Sequence, residues 1–462
     1  MNGSNRGDLK RSIIAAHIVR PFQDFAKTEA FSGVLLLLCT IAALLWVNSP
    51  FAASYEHLWE IPVSVGWGSW TLEKALHVWI NDGLMVIFFL LVGLEIKREI
   101  LVGELSSMKH AALPVMAAVG GMLFPALIYS MLNRGTAGAG GWAVPMATDI
   151  AFALSIMSLL GKRVPLGLKV FLTAFAIVDD IGAVLVIALF YHAGINVIAL
   201  VAAGVILLAL VVANAIGIRH LLVYTLLGIA LWLAFLASGL HTTIAGILLA
   251  MTIPARVRGD AGEFLEQGRV FLDTFEKEGP AIGLYMNEQQ QSSIQALETA
   301  AQQSLTPLQR MEHGLNPWVS YLIVPLFALA NAGVPFKDGF FSSVVSLVSL
   351  GVMIGLIVGK QMGIMLFAWL AIKLGWAELP EGTSWLHLYG ASWLGGVGFT
   401  MALFIAGLAF GDNEVMFNQA RSGILMATLV AGLIGWAILM RCGSATRRRE
   451  ARSMPGALVP SS

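Results

Sequence analysis

The chain has 462 residues, of which 57% are hydrophobic and 12% are charged, and its formal net charge is zero. Ordinary soluble domains carry about 25% charged residues, so the composition excludes a soluble protein and indicates an integral membrane protein. The balanced charge offers no basic surface for nucleic acid. The two cysteines, Cys39 and Cys442, lie at opposite ends of the apolar region and predict neither a disulfide framework nor a metal site.

Twelve apolar stretches are candidates for membrane spans, each of which needs about 20 mostly apolar residues. They cover residues 31–47, 77–96, 110–132, 142–160, 166–191, 196–216, 220–237, 239–253, 316–334, 344–371, 386–410 and 421–440. We therefore predict an all-α integral membrane fold with about 12 transmembrane helices over residues 31–440. A tail of residues 1–30 precedes this domain, and a basic tail of residues 441–462 follows it.

The distribution of lysine and arginine predicts the orientation, since loops that stay in the cytoplasm carry the positive excess. With the N-terminus inside and twelve spans, 23 of the 28 lysines and arginines fall on the inner side and four fall outside. The remaining one, Lys360, falls deep within a span rather than at its end. Both termini are thus predicted to be cytoplasmic.

Two long segments lie between spans. The outer one, residues 48–74, contains alternating apolar residues around glycines at 62–72, a pattern that predicts a β-hairpin. The inner one, residues 256–315, is rich in Glu and Gln and has a helical pattern at 292–302. This acidic loop is either a solvated linker or a partner-binding or regulatory element.

Two adjacent aspartates, Asp179 and Asp180, lie in the middle of span five. An ionisable side chain at membrane depth costs at least about 3 kcal/mol on insertion scales. Neighbouring helical residues project about 100° apart, so one carboxylate can meet a counter-charge while the other lines a cavity. The pair predicts a site for protons and small cations; a solvated helix end is the alternative.

Spans four and eleven each carry an interruption. Pro145 lacks an N–H and can free carbonyls beside Thr148 and Asp149, and three glycines at 395–398 weaken the helix of span eleven. A capped proline kink and tight helix packing are the alternatives. Because the interruptions fall in the middle of spans 3–5 and 10–12, they predict inverted-topology repeats with a binding site between them.

Lys360 in span ten requires an anion if it is buried, and the aspartate pair offers one. A lysine that snorkels to the inner surface is the alternative. If the interrupted helices face each other, Asp149 can balance their positive N-terminal ends and Lys360 their negative C-terminal ends.

Charged residues also gather at the predicted inner mouth, where span two ends and span nine begins. They form a solvated helix end, or else a cation funnel or a pH-responsive gate. These residues are Glu95, Arg98, Glu99, Glu312 and His313. His241, at the outer start of span eight, titrates in a range that suits a pH response, or is an ordinary hydrogen-bonded histidine.

Four motifs together resemble the bacterial NhaA-type sodium/proton antiporter family, over about residues 31–440. They lie at residues 81–99, 147–153, 176–183 and 325–333. The resemblance implies a transporter of the bacterial inner membrane, without enzymatic activity or a cofactor, that exchanges cytoplasmic Na⁺ or Li⁺ for protons. The Asp-Asp pair resembles the electrogenic branch, which moves two protons per sodium. A cation channel and a sodium-coupled solute transporter are the alternative functions.

The resemblance also implies roles for individual residues. Asp179 and Asp180 match the ion and proton carriers, with Lys360 as the partner of Asp179, and Thr148 and Asp149 match the unwound segment at the ion site. A pH response is implied for Glu95, Arg98, Glu99, His241, Glu312 and His313. The outer hairpin resembles the family's homodimer contact. Asn316, where a histidine is expected, and the longer inner loop depart from the family pattern.

Overall fold

The computed structural model describes residues 20–67, 70–191, 194–256, 261–277, 288–336, 340–411 and 413–453. Most of the predicted N-terminal tail, the end of the C-terminal tail, the hairpin turn at 68–69 and parts of the acidic loop lie outside these residues. Over the described residues the chain is helical apart from one two-stranded sheet. The described residues within 1–88, 99–194 and 319–462 form one unit, and those within 89–98 and 195–318 form a second.

The helices of the first half of the chain are α1 (Arg20–Val47), α2 (Ala52–Glu60), α3 (Leu76–Val78), α4 (Met85–Val102), α5 (Met108–Leu132), α6 (Ile150–Leu159), α7 (Leu166–Phe190), α8 (Val197–Ile216), α9 (Leu221–Ser238) and α10 (Thr243–Thr252). Those of the second half are α11 (Ala261–Lys277), α12 (Glu288–Ser304), α13 (Pro307–Trp318), α14 (Val324–Asn331), α15 (Phe340–Val344), α16 (Leu347–Ile354), α17 (Lys360–Lys373), α18 (Trp385–Gly395), α19 (Phe399–Phe410) and α20 (Glu414–Ser453). Three π-helical turns, Trp79–Leu84, Val319–Ile323 and Gly355–Gly359, join consecutive helices.

Seven helices within the described residues are long and apolar enough to cross a membrane. Two further spans result if each of two helix pairs, bent by 41°, counts as one. These nine coincide with nine of the predicted spans and make the chain a multi-pass membrane protein. The predicted spans at 77–96 and 316–334 are divided by π-helical turns, and that at 239–253 contains only the short helix α10.

In the first unit, α5, α6, α7, α17 and α18 pack around one apolar core. Its members include Leu113, Met157, Phe175, Ile364 and Leu394. Helices α5 and α17 approach so closely that a Cβ atom on Gly120 would lie 2.2 Å from the carbonyl oxygen of Gly363. This approach holds α17, which begins at Lys360, firmly against α5.

The segment at residues 48–74, which belongs to this unit, contains an antiparallel hairpin, as the alternating pattern predicts. Strands β1 (Pro62–Trp67) and β2 (Trp70–Ala75) pair with Pro62 opposite Ala75 and Gly66 opposite Thr71. The indole N–H of Trp79 donates to the carbonyl of Val63 over 2.9 Å. This bond anchors the hairpin to the following π-helical turn.

In the second unit, α8, α9 and α10 pack around a separate apolar core that includes Leu210, Tyr224 and Leu249. The Asn196 side chain accepts from the first N–H groups of α8. Gly217 and Gly239, with φ angles of 85° and 82°, end α8 and α9 in the left-handed conformation that glycine adopts without strain.

The described part of the acidic loop in this unit is mostly helical. Helix α12 covers the pattern predicted at 292–302, and α13 begins at Pro307, where a proline suits the first helical position. Helix α11 was not predicted. It packs along α12, and its half-buried Phe271 and Phe275 lie four residues apart, which places them on one helix face.

Candidate functional site

The first interrupted span consists of a 3₁₀ segment, Ala137–Met146, followed by three non-helical residues and then α6. Pro145 falls near the end of the 3₁₀ segment, where its missing N–H prevents a regular α-helix. Asp149 has extended backbone angles, and its Oδ1 accepts from the Phe152 N–H over 2.9 Å. The helix break and the capping aspartate are therefore parts of one arrangement.

The second interrupted span breaks between α18, which ends at Gly395, and α19, which begins at Phe399. A Cβ atom on Gly395 would lie 2.9 Å from Cδ1 of Ile364, and one on Gly398 would lie 3.1 Å from the carbonyl oxygen of Ala147. The glycines therefore serve tight packing as well as the interruption, so the two explanations offered by the sequence hold together.

The two breaks meet and form hydrogen bonds with each other. The Asp149 N–H donates to the carbonyl of Val397 over 2.7 Å, and the Thr148 hydroxyl donates to the carbonyl of Gly395 over 2.7 Å. Each break therefore supplies hydrogen-bond partners that the other has lost from its own helix.

Asp149 lies at the N-terminal ends of both α6 and α19. Besides the Phe152 N–H, its carboxylate accepts from the Thr400 N–H, over 3.0 Å, and from the Thr400 hydroxyl. Helix N-termini carry partial positive charge, so one buried carboxylate faces two positive helix ends.

Lys360, the first residue of α17, is fully buried and bonds to the first break. Its Nζ lies 2.9 and 2.8 Å from the two carboxylate oxygens of Asp179 and 2.9 Å from Oγ1 of Thr148. The Thr148 N–H donates to Oδ2 of Asp179 over 2.8 Å. Lys360 therefore does not snorkel to the surface, but forms a buried ion pair that is joined through Thr148 to the C-terminal end of α18.

Asp180 follows on the same helix and is 1% exposed. Both aspartates lie in the middle of α7, which rules out the solvated helix end. Asp180 also interacts electrostatically with Lys360. The structure thus places Asp179, Asp180, Lys360 and Thr148 together, and Asp149 is the next residue after Thr148.

Two of the residues predicted at the inner mouth form an ion pair. Arg98 contacts the carboxylate of Glu312, which is 7% exposed. The neighbouring His313 is exposed, and its Nδ1 lies 2.7 Å from the carbonyl oxygen of Gln309.

The other candidates for a pH response are Glu95, Glu99 and His241. Glu95 is half-buried on α4, and the carboxylate of Glu99 accepts from the Glu104 N–H over 3.1 Å. His241 lies between α9 and α10, with its Nδ1 3.2 Å from the hydroxyl of Thr243.

Sequence reasoning missed two side chains near the place where the two breaks meet. Thr400 follows the glycine interruption, and a hydroxyl in the first turn of a helix is a weak signal that many sequences share. Gln361 lies beside Lys360, and an amide next to an ionisable residue at membrane depth is a signal that could have been noticed.

Known proteins resemble this chain over most of its length. A family model described as "Na+/H+ antiporter 1" matches residues 23–439. A Koribacter versatilis protein named Na(+)/H(+) antiporter NhaA is 50% identical over 425 residues, which cover 92% of each chain. An Oleidesulfovibrio alaskensis protein of the same name is 50% identical over 431 residues, covering 92% of this chain and 94% of the relative. The chain belongs to the Na⁺/H⁺ antiporter 1 family.

Proposed function

We propose that this protein is a secondary active transporter that exchanges Na⁺ for H⁺ across the membrane. Its family, and the names of relatives that are 50% identical over most of its length, support this function. The observation that carries it is the buried pair Asp179 and Asp180 beside two interrupted helices that bond to each other, with Lys360 as counter-charge. The protein is a transporter and not an enzyme, and exchange needs no cofactor.

The transported Na⁺ is a hard cation that prefers oxygen ligands, as Ca²⁺ and Mg²⁺ do. We assign its ligands to the carboxylates of Asp180 and Asp179, with oxygens from Thr148 and Asp149 nearby. Protons and Na⁺ compete for the same carboxylate oxygens. If either occupant permits the change between inward-facing and outward-facing states, while the empty site does not, exchange follows.

Lys360 and Asp149 compensate charge in this proposal. The Lys360 ammonium occupies both carboxylate oxygens of Asp179, so a cation that binds Asp179 takes the place of the ammonium. Asp149 remains at the N-terminal ends of α6 and α19, where its charge offsets both helix dipoles.

Two adjacent carboxylates can release two protons for one bound Na⁺, which makes the exchange electrogenic. The proton gradient then drives Na⁺ or Li⁺ out of the cytoplasm. We further propose that the exchange responds to pH at the inner mouth, where Arg98 and Glu312 form their ion pair.

We propose twelve spans with inverted repeats over spans 3–5 and 10–12. The equal bends of 41° in spans four and eleven, and their mutual hydrogen bonds, support this topology. The excess of lysine and arginine on one side supports cytoplasmic termini in a bacterial inner membrane. A cysteine introduced near the C-terminus should then react with an impermeant thiol reagent in everted vesicles but not in intact cells.

The lipid bilayer and a second copy of the chain are the proposed partners. The hairpin of β1 and β2 projects two strand edges and a Val65 side chain that is 54% exposed, and unpaired strand edges favour association. Replacing residues 62–75 by a short glycine-serine linker should convert a dimer into a monomer, measured by light scattering of the detergent complex.

Exchange is tested in everted vesicles or proteoliposomes with an acidic lumen and a pH-sensitive dye. Adding Na⁺ should dissipate the pH gradient, and Asp180→Asn should abolish that response. Asp273→Asn, on the exposed surface of α11, is the matched control and should behave as wild type.

Full Na⁺-driven proton release by Asp180→Asn would overturn the site assignment. Sodium flux that proceeds without proton movement would instead favour a cation channel. A requirement for an organic solute would favour a sodium-coupled solute transporter.

A further inference from the structure

Lys360 begins α17 immediately after the π-helical turn Gly355–Gly359. Its N–H donates to the carbonyl of Gly355, five residues back, and this wider turn changes the direction in which the following side chains project. Such turns are frequent at functional sites. The direction of the Lys360 side chain therefore depends on the geometry of this turn.

Both ends of the turn are wedged against prolines. A Cβ atom on Gly355 would lie 2.7 Å from Cβ of Pro145, and one on Gly359 would lie 2.8 Å from Cα of Pro125. Pro145 belongs to the first interrupted span. The turn is thus packed directly on the segment that carries the first break.

Gln361 follows Lys360 and is 6% exposed. Its Nε2 donates to the carbonyl of Leu356, within the π-helical turn, over 3.3 Å. The same Nε2 lies 2.8 Å from the position of a Cβ atom on Gly396, which lies in the second break. The amide therefore occupies the space between the π-helical turn and the second interrupted span.

Adjacent helical residues project about 100° apart. Here the side chains of Lys360 and Gln361 therefore reach different interrupted spans. Lys360 contacts Thr148 at the first break as well as Asp179 on α7, whereas Gln361 packs against Gly396 at the second break. The start of α17 thus touches both interrupted spans through two successive side chains.

We propose that Gln361 is a positioning residue, which holds the π-helical turn so that Lys360 meets Asp179 and which links the orientation of Lys360 to the second interrupted helix. This inference rests on the proposed exchange function. The charged groups that act on Lys360 in the described structure are Asp179 and Asp180. A change in the turn alters the distance of the ammonium from these carboxylates.

The test uses the full chain in proteoliposomes, with Na⁺-driven proton exchange measured as a function of pH. Gln361→Leu removes the amide but keeps a similar volume. The pH of half-maximal exchange should move upward by roughly half to one unit, the worth of one hydrogen bond, because a displaced ammonium assists proton release from Asp179 less. Met362→Leu, the next residue and 52% exposed, should keep the wild-type profile.

A double variant separates positioning from general damage. In the Lys360→Ala background, Gln361→Leu should add no further shift, because its effect acts through Lys360; an additive shift would overturn the proposal. If Gln361→Leu does not fold, Gln361→Met, which keeps a similar length and adds neither a hydrogen-bond donor nor a charge, should show the same upward shift. A wild-type profile in both single variants would also overturn it. Failure of the wild-type protein to exchange would instead contradict the proposed function.

Discussion

Asp149 and Thr400 join the two interrupted helices at their N-terminal ends. The Asp149 carboxylate accepts the N–H and the hydroxyl of Thr400, 251 residues further along the chain, while it caps its own helix α6. A single side chain thus caps the N-terminal ends of two helices, so its loss should affect both interrupted spans at once.

Asp149→Ala should destabilise the protein by about 2–4 kcal/mol, since it removes hydrogen bonds to a charged group and leaves buried donors unsatisfied. Thr400→Val removes only the hydroxyl and should cost about 1 kcal/mol. Thermal unfolding in detergent measures both changes. Asn196→Ala, which removes the cap of α8, is the control and should cost about 1 kcal/mol. If Asp149→Ala cost no more than this control, Asp149 would not hold two helices.

Much of the site where the two interrupted helices meet could be predicted from residue types alone. Carboxylates and a lysine within apolar runs require burial with partners, and proline and clustered glycines require interrupted helices. These constraints indicated the neighbourhood of Asp179, Lys360, Thr148 and Asp149. They could not identify the hydrogen bonds that Thr400 donates to Asp149. A threonine hydroxyl finds a hydrogen-bond partner in many settings, so its place in the sequence gives no distinct signal.

The ion pair of Lys360 and Asp179 makes a prediction about stability. Lys360→Ala leaves the Asp179 carboxylate buried without its cation and should cost about 3–5 kcal/mol. The double variant Lys360→Ala with Asp179→Asn should be more stable than Lys360→Ala alone, because no uncompensated charge remains. Unfolding temperatures in detergent at neutral pH compare the three proteins.

The control for this pair is Lys373→Ala, on the same helix α17. Lys373 is exposed, and its Nζ lies 4.6 Å from the centroid of the Trp369 ring, so its loss should cost only about 0.5–1 kcal/mol. If Lys360→Ala with Asp179→Asn lost as much stability as the two single changes added together, Lys360 and Asp179 would stabilise the protein independently.

The close approach of α5 and α17 makes Gly363 intolerant of a side chain. A Cβ atom there would lie 2.0 Å from the carbonyl oxygen of Gly120, and these backbones can only separate by shifting Lys360. Gly363→Ala should therefore destabilise the protein by at least about 1–3 kcal/mol and lower the exchange rate. Gly204→Ala on α8, with no atom within 4 Å of the added Cβ, should be neutral or stabilising by up to about 1 kcal/mol. Equal unfolding temperatures for the two variants would contradict this packing.

The π-helical turns are a feature that local sequence patterns do not predict. The residues of Gly355–Gly359 are apolar and fit an uninterrupted helix as well as a widened turn. The turn depends on packing against Pro125 and Pro145, two residues far away in the chain. A local pattern therefore predicted span ten, but not the direction of the side chains that follow the turn.

The ion pair of Arg98 and Glu312 makes a prediction about pH dependence. It exists only while Glu312 is ionised, so a response to pH through this pair requires a titrating carboxylate. Glu312→Gln removes that group and leaves the Arg98 charge unbalanced, which should lower Na⁺-driven exchange and flatten its dependence on pH. Glu378→Gln, at an exposed position between α17 and α18, is the control and should leave the profile unchanged.

Exchanging the two charges separates attraction between the residues from their individual roles. Arg98→Glu combined with Glu312→Arg restores an ion pair with reversed polarity, so the protein should recover at least part of the stability that Glu312→Gln loses. If the reversed pair restored stability but not the dependence on pH, the pair would have to act through the location of its carboxylate. If Glu312→Gln kept the full wild-type profile, the exchange would not respond to pH through this pair.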